Sequence, residues 1–311
     1  MKTEGTKTDV YARVTDKIIA SLEAGTRPWM RPWQAGVDGR LPLLPLRGNG
    51  EPYRGVNVLL LWVEAVERGY SANIWMTYKQ ATEHGAHVRK GEKGAMVVYA
   101  DTIHRTETND KGEDVEHRFG FMKAYTVFCV EQIEGLPAMF YEKPAPIDDG
   151  RTVELIAEAE NFFAGTGAVF RHGGHSAFYA PGPDAIQLPP IQAFRDAESY
   201  MATKAHELIH WTGHKNRMAR EFGKRYGDRA YAFEELVAEM GAAFLCADLA
   251  ITPELREDHA AYLASWLEVL KDDKRAIFAA ASHAQKAMDF LHGLQGQAAN
   301  APEMQLSLFA A

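Results

Sequence analysis

Two histidines four residues apart bracket a glutamate in the run Ala205-His206-Glu207-Leu208-Ile209-His210. On an α-helix, positions i and i+4 share a face with Cβ atoms about 5–6 Å apart, so both imidazoles can reach one ion at about 2.0–2.1 Å. Glu207, one residue past the first histidine, would then sit beside the ion and not on it. A carboxylate there can take a proton from a water that the ion has acidified toward a pKa of about 7, which is the chemistry of hydrolysis at neutral pH. A chance match on an amphipathic helix is the bland alternative. Leu208, Ile209 and Trp211 weigh against it by giving the helix the apolar flanks of a buried active-site element, and Gly213 offers a stop after the second histidine. The expected cofactor is Zn2+ or another divalent transition metal such as Mn2+.

Catalytic zinc usually keeps three protein ligands and one open position, so a further donor must come from elsewhere. His214 lies eight residues beyond His206, about 12 Å along a straight helix at 1.5 Å per residue, too far to share the ion. The three-histidine spacing of the metzincins would require histidine at 216, where this chain has Asn216. Downstream, residues 232–245 read as a helix with Leu236, Met240, Ala243 and Ala247 as its core stripe, and Glu235 and Glu239 lie beside that stripe at i, i+4. Glu235 is the expected third ligand. Glu239 is expected to orient a ligand histidine through its free ring N–H, or to stand as a reserve ligand, with Glu234 one residue off as a second reserve. The competing reading leaves these acids solvated at the edge of the stripe.

These residues need a scaffold, and 311 residues of which 46% are hydrophobic can build two domains. The pattern predicts an α+β protein. An N-terminal α+β domain spans 1–142, a linker with Pro144, Pro146 and Gly150 spans 143–151, a helix-rich domain with a small sheet spans 152–292, and a flexible tail spans 293–311. Short strand-like pieces at 168–171, 176–180 and 185–188 precede the histidine helix, and their edge could hold an extended peptide by strand addition. Helices are expected at 152–163, 228–249, 253–271 and 274–292. No apolar run approaches 18 residues, so neither a leader nor a membrane span is expected and the protein reads as cytoplasmic. Cys129 and Cys246, far apart in apolar settings, read as buried thiols.

The net charge of −8 hides an asymmetry: residues 1–99 carry 14 Lys plus Arg against 10 Asp plus Glu. Trp29, Trp33, Trp62 and Trp75 lie in that basic stretch, and aromatics interleaved with basic residues suit a surface that stacks bases and follows a phosphate backbone. Tryptophans are also common core residues, and Trp62, on an apolar helix, reads as one. Pro28 and Pro32 fix the backbone of a Pro-Trp-x-x-Pro-Trp loop. Helices are expected from Val10 to Gly25, from Val58 to Gly69, and after the capping box Thr77-Tyr78-Lys79-Gln80. Lys90 and Lys93 stand in a Gly-flanked turn before a strand at 95–100, where they could hold phosphate. Residues 101–120 read as a polar hairpin excursion returning through a strand at 122–130.

The order Pro-Trp-x-x-Pro-Trp, Tyr53-Arg54-Gly55-Val56-Asn57, Trp75-Met76-Thr77-Tyr78-Lys79-Gln80, Arg89-Lys90-Gly91-Glu92-Lys93-Gly94, then His206 to His214 and Glu234 to Glu239, resembles the ArdC antirestriction proteins of conjugative plasmids. The resemblance spans nearly the whole chain. It implies an N-terminal single-stranded-DNA-binding domain related to plasmid primase proteins, a C-terminal zincin-like metallopeptidase domain, and protection of incoming DNA in a recipient bacterium. In its light the expected DNA contacts are Trp29, Trp33, Tyr53, Arg54, Asn57, Trp75, Lys79, Gln80, Lys90 and Lys93. Two readings then compete. In one the protein is a DNA-localised metalloprotease acting on an unknown protein substrate; in the other it is a DNA-binding shield whose zinc domain is structural or a docking module. Glu207 favours hydrolysis, since a structural site needs no carboxylate beside a water and is normally closed by four protein ligands.

Near the C-terminus, Gln305-Leu306-Ser307-Leu308-Phe309 looks like the pentapeptide by which bacterial replication and repair proteins dock on the DNA sliding clamp. In this docking peptide, of which Leu306 is part, Leu308 and Phe309 would fill an apolar pocket and Gln305 would hydrogen-bond beside it. The alternative folds these apolar residues back onto their own domain.

Overall fold

The computed structural model describes residues 9–29, 44–108, 114–142, 149–223, 229–251 and 260–298. Helices and small sheets combine in an α+β architecture. The described residues within Met1–Trp33, Leu43–Ala145 and Leu255–Ser282 form one compact unit, and those within Gln34–Pro42, Pro146–Glu254 and His283–Ala311 form another. No helix among the described residues is long and apolar enough to cross a membrane.

In the first unit, α1 (Val10–Glu23) starts where the Asp9 carboxylate accepts the Tyr11 N–H at 3.0 Å, and it buries Val14, Ile18 and Leu22 on one face. β1 (Leu46–Arg47) leads to α2 (Val56–Arg68), an apolar helix closed by Gly69 at φ 70°, a left-handed conformation that favours glycine. β2 (Ile74–Met76) precedes α3 (Tyr78–Glu83), which begins on a full capping box of Thr77 and Gln80. β3 (His87–Val88) pairs with β6 (Ile133–Glu134). Between them, β4 (Ala95–Thr108) and β5 (Asp114–Cys129) run antiparallel in register from Ala95↔Val127 to Thr108↔Asp114. The polar segment expected as a hairpin excursion is paired ribbon on both sides of its tip, and its Thr102, Ile103, Thr106, Thr108 and Val115 are residue types that suit a strand. The four-stranded sheet runs β1-β2-β5-β4.

The second unit opens with α4 (Asp149–Gly165). It continues with β7 (Val169–His172), β8 (Phe178–Ala180) and β9 (Ala185–Leu188), a sheet of order β7-β9-β8. Then come α5 (Ala197–Thr212) and α6 (Arg229–Asp248). α7 (Ala260–Asp272) and the start of α8 (Ala276–Ala298) belong with the first unit, and the division runs through α8. Residues 260–282, expected within the C-terminal domain, group with the first compact unit and pack against α1. Trp266 meets Trp29 edge-on at 5.5 Å, Phe278 meets Tyr11 at 4.8 Å, and the Lys274 carbonyl accepts from Thr15 at 2.7 Å. α8 also overruns the expected start of the tail at 293. His292 packs edge-on against Phe162 at 5.1 Å and Gln295 donates to the Phe162 carbonyl at 3.2 Å, which holds the extra turn. Cys129 and Cys246 are both buried free thiols, and burial pushes Cys246 up to about 12.

Candidate metal centre

α5 begins at Asp196, whose carboxylate accepts from the Ser199 N–H at 2.7 Å, and from Ser199 to Thr212 every residue but Ala202 is buried. A helix enclosed on all sides must be packed closely by its partner, and α6 supplies that contact through Gly241. A Cβ there would come within 2.9–3.0 Å of the Ile209 side chain, so only glycine lets the two helices approach to this distance. Gly213, at the end of α5, has an ordinary φ of −74°. It is needed for room: a Cβ would meet Phe222 at 2.7 Å and the Arg220 guanidinium at 2.9 Å.

That packing brings two imidazole nitrogens and the two oxygens of one carboxylate together, so that one atom from each of the three residues lies within 4.8 Å of the others. His206 Nε2 and His210 Nε2 are 3.2 Å apart, His206 Nε2 lies 3.5 Å from Glu235 Oε2, and His210 Nε2 lies 3.5 Å from Glu235 Oε1. Ligands at about 2.0–2.1 Å around a tetrahedral ion are separated by about 3.3 Å, so the two nitrogens stand at the spacing of two corners of such a site, and the triangle of residues is closed by the Glu235 carboxylate, one oxygen toward each ring. Two imidazoles and a carboxylate suit a divalent transition metal. No other group of three or more such donors meets the same spacing among the described residues.

Each histidine is fixed from behind. Glu239 Oε1 lies 3.3 Å from His206 Nδ1, and Glu234 Oε1 lies 3.1 Å from His210 Nδ1, so both rings give Nδ1–H to a carboxylate and turn Nε2 to the triangle. Glu234 is itself clamped by Arg220, whose Nε and Nη2 donate to its two oxygens at 2.9 and 2.8 Å. The same guanidinium donates to Thr212 Oγ1 at 2.8 Å and to the Ile209 carbonyl at 2.6 Å, and so ties the end of α5 to α6. Glu207, next to His206 on α5, is buried at 4% exposure. His214 is buried outside the triangle, its Nδ1 accepting from the Asn216 N–H at 3.3 Å.

Of the residues singled out by spacing, His206, His210 and Glu235 come together in the triangle and Glu239 stands behind it. Arg220 has no place in the sequence pattern, and Glu234 enters it only as a reserve. Gly213 is the one local signal for Arg220, and in the sequence it reads simply as a helix stop.

The electrostatics reflect this crowding of acids around two rings. Burial alone would lower the histidine pKa values, but the carboxylates outweigh it: Glu235 and Glu239 push His206 up to about 9, and Glu234 and Glu235 push His210 up to about 10. Burial would raise Glu235, yet hydrogen bonds from both imidazoles hold it well below the usual carboxylate range. Such a pocket calls for positive charge, supplied by protons on the rings or by a cation between them.

The expected DNA contacts divide sharply. Trp29 and Trp75 are 1% exposed and Tyr53 is 8% exposed, so none presents a ring face for stacking. Trp29 packs on Trp266, Trp75 packs on Tyr70 at 5.9 Å within an inner strand, and Tyr53 lies under the Arg47 guanidinium. Large apolar area gains more from the core than from solvent, and these rings found one. Trp62 is buried as expected. Asn57 is occupied structurally: its amide donates to the Val98 carbonyl at 2.8 Å and accepts the Val98 N–H at 2.7 Å, standing in for a neighbouring strand along β4. Gln80 serves the capping box. Arg54, Lys79, Lys90 and Lys93 are exposed, and the turn carrying the last two is pinned by Arg68 and Gln132, which both donate to the Lys93 carbonyl. Trp33 and the segment Gln305 to Phe309 lie outside the described residues.

Two family models match different parts of the chain. Residues 8–128 match the family described as the N-terminal domain of anti-restriction factor ArdC, and residues 157–283 match the family of zincin-like metallopeptidases. The crystal structure of the antirestriction protein ArdC from plasmid R388, metal-free, is 46% identical with a TM-score of 0.77, covering 93% of this chain and 98% of that one. Its Mn(II)-bound form gives 45% and 0.74, covering 96% of this chain and 100% of that one. The protein y4eC of Sinorhizobium fredii is 42% identical over 302 residues, 96% of each chain. The DNA primase TraC of Escherichia coli is 37% identical over 301 residues, where the match covers 92% of this chain but only 27% of TraC.

Proposed function

The chain belongs to the ArdC antirestriction family, and on that premise we propose that it is a divalent-metal-dependent peptidase joined to a single-stranded-DNA-binding domain, protecting incoming plasmid DNA in a recipient bacterium. The triangle of His206, His210 and Glu235, with edges of 3.2–3.5 Å and Glu207 beside it, carries the hydrolytic half of this reading. A divalent ion held there would polarise a peptide carbonyl and lower the pKa of water. Glu207 takes the proton of the attacking water on its carboxylate and returns it to the leaving amine. Glu239 and Glu234 keep the two imidazoles in the tautomer that leaves Nε2 for the ion, and Arg220 holds Glu234 in place. Three protein donors with a glutamate alongside suit an open catalytic site better than a closed structural one. The Mn(II)-bound R388 protein supports a divalent ion, with Mn2+ and Zn2+ both suited to the donors.

The DNA-binding half rests on the family resemblance and on the exposed Arg54, Lys79, Lys90 and Lys93. Gln305 to Phe309 would add a docking peptide for the sliding clamp. A labelled peptide of residues 298–311 should titrate saturably with purified clamp and lose binding when Leu308 and Phe309 are changed to Ala. Equal binding by the changed peptide removes the docking role.

The decisive test of hydrolysis is proteolysis of an unfolded protein substrate by the full chain loaded with Mn2+ or Zn2+, with and without a single-stranded oligonucleotide. Cleavage should depend on the ion and disappear in Glu207→Ala. Cleavage unchanged in that variant would remove the catalytic assignment, and full protection of DNA by it in vivo would assign antirestriction to DNA binding alone.

A further inference from the structure

On the β4–β5 ribbon, cross-strand register places Ala95 opposite Val127, Val97 opposite Tyr125, Tyr99 opposite Lys123 and Asp101 opposite Phe121, all on one face. At the base that face is core: Ala95, Val97 and Val127 are buried. Farther out the same face meets solvent with aromatic rings set between one lysine and one aspartate. Tyr99 is 50% exposed and Tyr125 46% exposed, and Tyr99 stands between Tyr125 at 6.4 Å and Phe121 at 6.1 Å. Lys123 reaches over the Phe121 ring at 5.2 Å, and the Tyr99 hydroxyl donates to Asp101 at 2.7 Å, which fixes its ring. Neither ring contact of Tyr99 is face to face, so ring surface is left for a ligand.

We propose that this face is a stacking platform for the bases of single-stranded nucleic acid. The inference rests on the DNA-binding reading above and gives it a site that the buried tryptophans cannot supply. Charge supports this occupant: Lys123 sits among the rings, and Lys90 and Lys93 are exposed in the turn that opens β4, with Lys93 about 20 Å from Tyr99 at roughly 3.3 Å per residue. A short length of strand thus joins a basic turn to an aromatic rank, the pairing that sequence-tolerant single-strand binders use. Binding by strand addition at this point is blocked, because the Asn57 side chain already takes both backbone groups of Val98. The side-chain face is what remains.

The test is fluorescence anisotropy of a labelled oligothymidylate against full-length wild type and Tyr99→Ala/Tyr125→Ala. It is repeated with Tyr99→Phe/Tyr125→Phe and with an oligonucleotide carrying abasic spacers, and circular dichroism melts verify folding. The alanine variant should fold normally and bind at least about tenfold more weakly, while the phenylalanine variant stays near wild type, because stacking needs the ring and not the hydroxyl. Abasic spacers should weaken the wild type by a similar factor and the alanine variant little further. Wild-type binding retained by the alanine variant overturns the platform and leaves single-strand binding to another surface. Absence of oligonucleotide binding by the wild type overturns the platform and the DNA-binding reading together.

Discussion

The two compact units depart from the ordinary burial pattern in different ways, one by gathering ionisable groups in its interior and the other by leaving aromatic rings in solvent. Around α5 and α6 the interior holds His206, Glu207, His210, Glu234 and Glu239, each at most 8% exposed, along with the clamped guanidinium of Arg220. In the first unit the interior holds Trp29 and Trp75, while Tyr99 and Tyr125 stand half in solvent on a ribbon. Both arrangements run against the ordinary gradient. Burying a charge costs several kcal/mol unless partners compensate, and leaving aromatic area in water forfeits about 25 cal/mol per Å². In one unit the compensation is a ring of opposite charges short of a cation; in the other it would come from a ligand with flat apolar faces. The contrast separates the two proposed sites more firmly than residue type does.

The sharpest way to break the comparison is to remove the donors. His206→Ala/His210→Ala should weaken Mn2+ or Zn2+ binding by more than about a thousandfold, since a site with one donor left is no site. Titration calorimetry reads this directly, and near-native affinity in the double variant would end the assignment.

Next in size is stability. Trp75→Ala should cost about 3–5 kcal/mol in urea unfolding, because it opens a cavity in an inner strand, whereas Tyr125→Ala on the ribbon should stay within about 0.5–1 kcal/mol. Similar costs for the two would erase the distinction between core and platform aromatics.

Arg220→Met tests the support behind the ligands. It leaves Glu234 buried without its guanidinium and frees His210 to rotate, so metal affinity should fall about 10–100-fold, with a changed Co2+ absorption spectrum marking altered geometry. An unchanged spectrum and affinity would reduce Arg220 to a helix tie.

Apart from any substitution, affinity should also depend on pH. With His206 near 9 and His210 near 10 when no ion is bound, both rings carry protons at neutral pH and must lose them as an ion binds. Affinity should therefore rise with pH and level off above about 10, with about two protons released per ion near pH 7. Buffer-dependent calorimetry counts them, and release of none would contradict the acidic crowding.

What the amino-acid sequence alone makes legible differs from site to site, and the reason is physical. Metal ligation is a local geometry: i, i+4 on one helix places His206 and His210, and the stripe of the next helix places Glu235 and Glu239. Element boundaries are equally readable where chemistry marks them, as at the Thr77 capping box and at Gly69. Stacking depends on exposure, and residue type does not encode it. Trp29 and Trp75 have the composition of a base platform and the position of a core, while Tyr99 and Tyr125 draw no attention until register puts them side by side. Arg220 acts across a loop, with its partner Glu234 14 residues away, and only the room left at Gly213 hints at it. The packing of residues 260–282 against α1 joins Thr15 to Lys274 across 259 positions, a contact that no local pattern foretells.

Of the four carboxylates gathered around the two histidines, only Glu235 is assigned as a ligand, and metal titration of paired variants asks that question directly. Glu235→Ala should lose high-affinity Mn2+ and Zn2+ binding, while Glu207→Ala should still take up one ion per chain with near wild-type affinity. The reverse pattern, an ion held by Glu235→Ala and lost in Glu207→Ala, would contradict the centre described here.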